Sequence, residues 1–112
     1  MIKEIDYKAA DSPGGRDDSK KARYDLIPPE ATRALANVLT MGAKKYADRN
    51  WEKGMDWGRV LASLMRHLEA WRDPTQSDID EESGYSHMDH VLTNAAFLIA
   101  YEQRKVGNDN RS

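Results

Sequence analysis

His87, His90, Asn94 and Tyr101 sit at offsets of 0, 3, 7 and 14. At about 100° per residue, a helix would project them in similar directions. The stretch "SGYSHMDHVLTNAAFLIAYE" therefore carries a polar stripe beside an apolar one of Met88, Val91, Leu92, Ala95 and Ile99. Asp89 points elsewhere. An imidazole can bind a metal through one ring nitrogen while an acceptor orients the other. It can also hydrogen-bond a phosphate or a base edge. The plain alternative is a set of satisfied core polar groups.

Other reactive side chains lie close by in sequence. Asp80 and Glu82 directly precede this stretch, and carboxylates are the hard oxygen donors that Mg²⁺ or Mn²⁺ prefers. A solvated acidic loop is the competing reading. His67 falls at the edge of an apolar face, with Arg66 turned further toward the polar side and Glu69 nearly opposite. "GAKKYADRNWEKG" adds Lys45, Tyr46, Asn50 and Trp51. A cation or an Asn amide there can hold phosphate or a base. Trp51 either packs in the core or stacks on a purine.

Three helices must position these groups. The first is expected near 29–47, with Pro28 or Pro29 in its first turn and Ala31, Leu35, Val38, Leu39, Gly42 and Tyr46 at helical spacing. Gly42 on that stripe predicts close approach of another helix. The second is expected near 57–72, with Asp56 as its cap, Pro74 as its stop, and one wide apolar face of Val60, Leu61, Leu64, Met65, Leu68 and Trp71. The third is expected near 86–104 with Ser86 as N-cap. No strand pattern, repeat or heptad series is present. The fold class is all-α: a compact bundle of three main helices, completed by oligomerisation. Residues 1–22 read as a flexible polar arm, residues 23–105 as one helical domain, and residues 106–112 as a frayed tail.

Bulk properties narrow the function. A chain of 112 residues favours one domain. A net charge of −2 argues against a general nucleic-acid binder. The absence of cysteine excludes disulfides and thiolate metal sites and suits a cytoplasmic protein. No apolar run approaches the roughly 20 residues of a membrane span. Nor does the start resemble a signal peptide.

"DLIPPEATRALANVLTMGAKKYADRNWEKG", "RHLEAW", "DIDEESG" and "HMDHVLTNAAFL", in that order, resemble the phage-type dATP/dGTP diphosphohydrolase family. That family is linked to the all-α, MazG-like nucleotide pyrophosphohydrolases. The resemblance covers about residues 23–102 and implies Mg²⁺-dependent (or Mn²⁺-dependent) cleavage of a purine deoxynucleoside triphosphate to monophosphate and pyrophosphate. In a phage this would adjust the phage nucleotide pool. The implied substrate positions are Lys45, Tyr46, Asn50, Trp51 and Asn94. The implied catalytic positions are Arg66, His67, His87 and His90, and the metal positions are Asp80 and Glu82. Ser83 and Gly84 also match the motif. Lys45 and Arg66 would offset phosphate charge, and His87 or His90 would serve as metal ligand, general base or phosphate donor.

The chain departs from MazG-like enzymes in one respect. Those use E-x-x-E on one helix and E-x-x-D on the next, whereas here the second helix has only Glu69 and the third has histidines. The metal site is therefore altered, supplied from the loop, or absent. Two rival readings remain at this level. One is an HD-type phosphohydrolase, disfavoured because "MDH" lacks the adjacent His-Asp pair. The other is a non-catalytic helical accessory protein that binds a partner. A nucleotide substrate and a homodimer or homotetramer are the expected partners.

Overall fold

The structure is a computed structural model that describes residues 14–112. Three α-helices form the fold: α1 Pro29–Lys45, α2 Trp57–Arg72 and α3 His87–Arg104. Single 3₁₀ turns occupy Tyr24–Leu26 and Asn50–Lys53. Among the described residues there is no strand, only two isolated bridges. The all-α expectation is met, and each helix boundary agrees with the sequence pattern to within two residues. The first 13 residues of the expected N-terminal arm lie outside the described residues.

Helix α3 is the central element. It packs most extensively on α2 and then on α1. Its orientation differs from the amphipathic expectation. Among its buried residues are His90, Thr93 and Tyr101, whereas Ile99 of the apolar stripe is 55% exposed. His90 and Tyr101 of the polar stripe thus face inward, while His87 and Asn94 are half-buried, like Met88, Val91, Leu92 and Ala95 of the apolar stripe. Among the described residues the apolar core is thin, with Val38, Val60 and Tyr101 its buried members. Met65, Leu68 and Trp71 of α2 remain exposed, so the apolar face is only partly covered within one chain.

The helix ends show which caps work. Ser86 Oγ accepts from the Met88 N–H at 3.1 Å, as expected of an N-cap. Asp56 sits at the N-cap of α2, but its side chain makes no capping bond. The C-terminal segment takes that role. Asn108 O accepts from Trp57 N at 2.9 Å, and Asn110 Oδ1 accepts from Gly58 N at 2.8 Å. Trp57 Nε1 also donates to Val106 O at 2.9 Å. Gly107, at φ 82°, brings its backbone against Met55 O, where a Cβ would collide. Residues 106–110 are therefore docked rather than frayed, because they satisfy first-turn N–H groups that a helix cannot satisfy itself. Gly42 allows no close helix approach: a Cβ there would meet nothing within 4 Å, since the position opens onto a cleft.

A cleft with a histidine–aspartate cluster at one end

Residues 78–87 form a tight turn that delivers Asp80. Asp80 N donates to Tyr85 O at 2.8 Å, Gly84 N to Asp80 O at 2.7 Å, and His87 N to Asp78 O at 2.8 Å. Gly84, at φ 77°, makes the left-handed reversal that other residues rarely adopt. The Asp80 carboxylate accepts from Ser83 N at 3.0 Å. Burial alone would raise its pKa. The hydrogen bonds from Ser83 and the facing His90 and His67 outweigh that and hold it below the usual value.

The three histidines meet here. The His67 and His90 rings stack with centroids 4.4 Å apart and planes 10° from parallel. His67 Nδ1 and His87 Nδ1 are 2.8 Å apart, so in the neutral pair one carries the bridging proton and the other accepts it. Ser83 Oγ lies 2.6 Å from His90 Nε2 and also accepts from Tyr85 N. When the Ser83 hydroxyl hydrogen is directed at His90, Nε2 is the acceptor and the ring proton sits on Nδ1; in the other tautomer Nε2 donates to Ser83 Oγ. Burial lowers the pKa of both His67 and His90. For His67 the neighbouring His90 adds to this, while Asp80 opposes it in both.

Among the described residues, one convergent set of possible metal donors is found: His67, Asp80 and His87, with donor atoms all within 4.8 Å of one another. Glu82 is not part of it. Its carboxylate turns to Lys45 Nζ at 3.2 Å, tying the end of α1 to the loop, and it is 80% exposed. The pairing holds the Lys45 ammonium above its usual pKa, aided by Tyr46. An Mg²⁺ ion of the kind implied by the resemblance seeks oxygen donors, and only Asp80 in this set offers one. The residues present suit Mg²⁺ poorly.

The cluster borders a cleft of about 1240 Å³. Lys45, Tyr46, Asn50, Trp51, His67, Asp80, Glu82, His90 and Asn94 all line it, so most of the expected site residues share one cavity. His87 is not a wall of the cleft and reaches the cluster through His67. Arg66 lies elsewhere, in a separate surface depression beside Glu69 and Arg72.

Several lining residues were not singled out by sequence. Phe97 and Arg104 follow His90 by 7 and 14 residues and so share its face, and Ser63 lies one turn before His67. That spacing was the available signal. The Phe97 ring stacks on Trp51 at 5.0 Å, and the Arg104 guanidinium lies 5.2 Å from the centre of the Trp51 ring. Tyr101, fully buried, donates to Trp51 O at 2.6 Å and fixes the loop that carries it. Asn94 Nδ2 donates to His90 O at 3.0 Å and to Ser63 Oγ at 3.2 Å.

Fold and cleft define an all-α protein with a histidine–aspartate cluster at one end of a cavity lined by aromatic rings and by charges of both signs. Comparison with known proteins sharpens this. The family described as dATP/dGTP diphosphohydrolase, N-terminal, matches residues 11–111. The chain belongs to that family. It is 33% identical over 95 residues, 84% of its length, to a protein of Salmonella phage PMBT28 named dATP/dGTP diphosphohydrolase. The match spans 31% of that relative. No solved structure matches the chain. No helix among the described residues is long and apolar enough to cross a membrane.

Proposed function

We propose that this protein hydrolyses dATP and dGTP to the monophosphate and pyrophosphate in a metal-dependent reaction. The observation that carries the reading is the joining of three chemistries in one cleft. Stacking rings lie at Trp51 and Phe97, cations at Lys45, Arg49 and Arg104, and the histidine–aspartate cluster at His67, Asp80 and His90. The family match and the name of the phage relative point to the same substrates.

In this reading the purine stacks against the Trp51 side of the cleft, where aromatic contact is base-tolerant. Asn94 has both amide hydrogens committed, so its Oδ1 is left to accept from the base. Phosphate oxygens compete with Glu82 for Lys45 and with Glu52 for Arg49 and Arg104, which then offset further charge. A bound metal ion would supply charge neutralisation and an activated water. His90, held neutral, would receive the proton of the attacking water through Ser83, whose hydroxyl lines the cleft 2.6 Å from His90 Nε2 and would pass its own proton to the ring. Asp80 Oδ2, 3.6 Å from His90 Nε2, stabilises the imidazolium that results. Water oxygen adds to phosphorus and the α–β bridging bond breaks, releasing pyrophosphate. The protein acts in the host cytoplasm as a homo-oligomer, a reading supported by the exposed Met65, Leu68, Trp71 and Ile99.

The test is purified protein incubated with each deoxynucleoside triphosphate and Mn²⁺ or Mg²⁺, with products separated by chromatography. Monophosphate and pyrophosphate from dATP and dGTP are expected. Absence of turnover, or release of orthophosphate alone, overturns the assignment.

A further inference from the structure

Three elements bring one donor each to a common point. His67 comes from the third turn of α2, Asp80 from the tight turn and His87 from the first residue of α3. Nothing about their separation in sequence forces this meeting. Two Nδ1 atoms at 2.8 Å sit close to the roughly 3 Å edge expected between adjacent nitrogens on one metal at ~2.1 Å. Asp80 is already oriented by Ser83 N, and His87 is anchored by its own N–H to Asp78 O. The cluster is therefore held in place before any ion arrives.

Its donor set is two imidazoles and one carboxylate. Imidazole nitrogen suits Mn²⁺, Fe²⁺, Co²⁺ and Zn²⁺, whereas Mg²⁺ wants near-octahedral oxygen and sheds its waters reluctantly. The oxygen-rich alternative would need Glu82, which is engaged by Lys45. His67 and Asp80 both face the cleft, so three protein donors leave coordination positions open toward the space a triphosphate would fill.

We propose that His67, Asp80 and His87 form a three-ligand site for a first-row transition-metal dication rather than for Mg²⁺. The inference deepens the metal dependence proposed above, yet it needs no nucleotide and is tested without one. Tag-free protein is stripped with chelator, dialysed, and titrated by calorimetry with Mn²⁺, Co²⁺, Zn²⁺ and Mg²⁺ in turn. One ion per chain is expected, with affinity rising from Mn²⁺ to Co²⁺ and Mg²⁺ weaker than Mn²⁺ by roughly a hundredfold or more. His67→Gln and His87→Gln should each weaken Co²⁺ binding by roughly tenfold or more, and Glu82→Gln should leave it unchanged. The visible spectrum of Co²⁺ bound to the unmodified protein reports nitrogen ligation independently, should a variant fail to fold. Mg²⁺ binding as tightly as Mn²⁺, a spectrum of oxygen ligation alone, or Co²⁺ affinity lost in Glu82→Gln but kept in folded histidine variants would overturn the site. Metal binding without nucleotide, together with no triphosphate hydrolysis, would instead leave the metal site standing and remove the activity.

Discussion

The two ends of the cleft are built by different physics. At one end Trp51, Phe97, Tyr101 and Arg104 meet through ring faces and a cation, contacts that tolerate sliding. At the other, Asp80, Ser83 and the three histidines meet through short directional hydrogen bonds. A base can be gripped by surface and shape, whereas proton transfer and ion binding need atoms placed to fractions of an ångström. The comparison teaches that substrate grip and chemistry should fail separately here.

The largest break is expected at the polar end. Asp80→Asn keeps the turn's backbone bonds but removes the charge facing His67 and His90. Hydrolysis of dGTP should fall on the order of a hundredfold, with the far-ultraviolet circular dichroism unchanged. Activity within a few-fold of the parent would detach Asp80 from the chemistry.

At the aromatic end, Trp51→Leu should raise KM for dATP and dGTP by roughly tenfold while kcat holds, reflecting about 1–3 kcal/mol of base stacking. A lower melting temperature with KM unchanged would make Trp51 a packing residue instead. Tyr101→Phe probes the same end from behind. It strips the hydrogen bond to Trp51 O and should cost about 1–2 kcal/mol in denaturant titration. An unaltered unfolding midpoint would mean that the loop does not depend on it.

Smaller effects test how the polar end is held. Ser86→Ala removes the α3 cap next to His87 and should cost about 1 kcal/mol. Equal stability in a chemical melt would show that the turn at residues 78–87 suffices by itself. The slightest change is one of pH. Burial holds His67 and His90 below their usual value of 6.5, so the unfolded chain takes up protons first as pH falls. Metal-free protein should lose stability as pH drops through that value and gain nothing further above it. Asp80, whose pKa is depressed, adds a separate loss only below about 3.8. A melting temperature that rises between pH 7 and pH 5 would contradict the neutral, buried imidazoles.

Periodicity made the helices legible. The 3.6-residue repeat is a local property, so α1, α2 and α3 could be placed to within two residues, and the polar stripe of His87, His90, Asn94 and Tyr101 could be recognised as one face. The Ser86 cap was equally local. What local pattern could not decide was direction. Apolar residues on α3 suggested an inward face, but the neighbouring helices bury His90 and Tyr101 of the polar stripe and leave Ile99 exposed. Partners separated in sequence were also undecidable. Lys45 claims Glu82 from 37 residues away, and His67 meets His87 across 20. Asn108 and Asn110 displace Asp56 as the cap of α2 from about fifty residues away. The sequence by itself determined which side chains could do chemistry and on which helical face each lies. Tertiary structure decided which of them meet, because convergence depends on how helices pack and turns close, and no spacing along one chain segment encodes it.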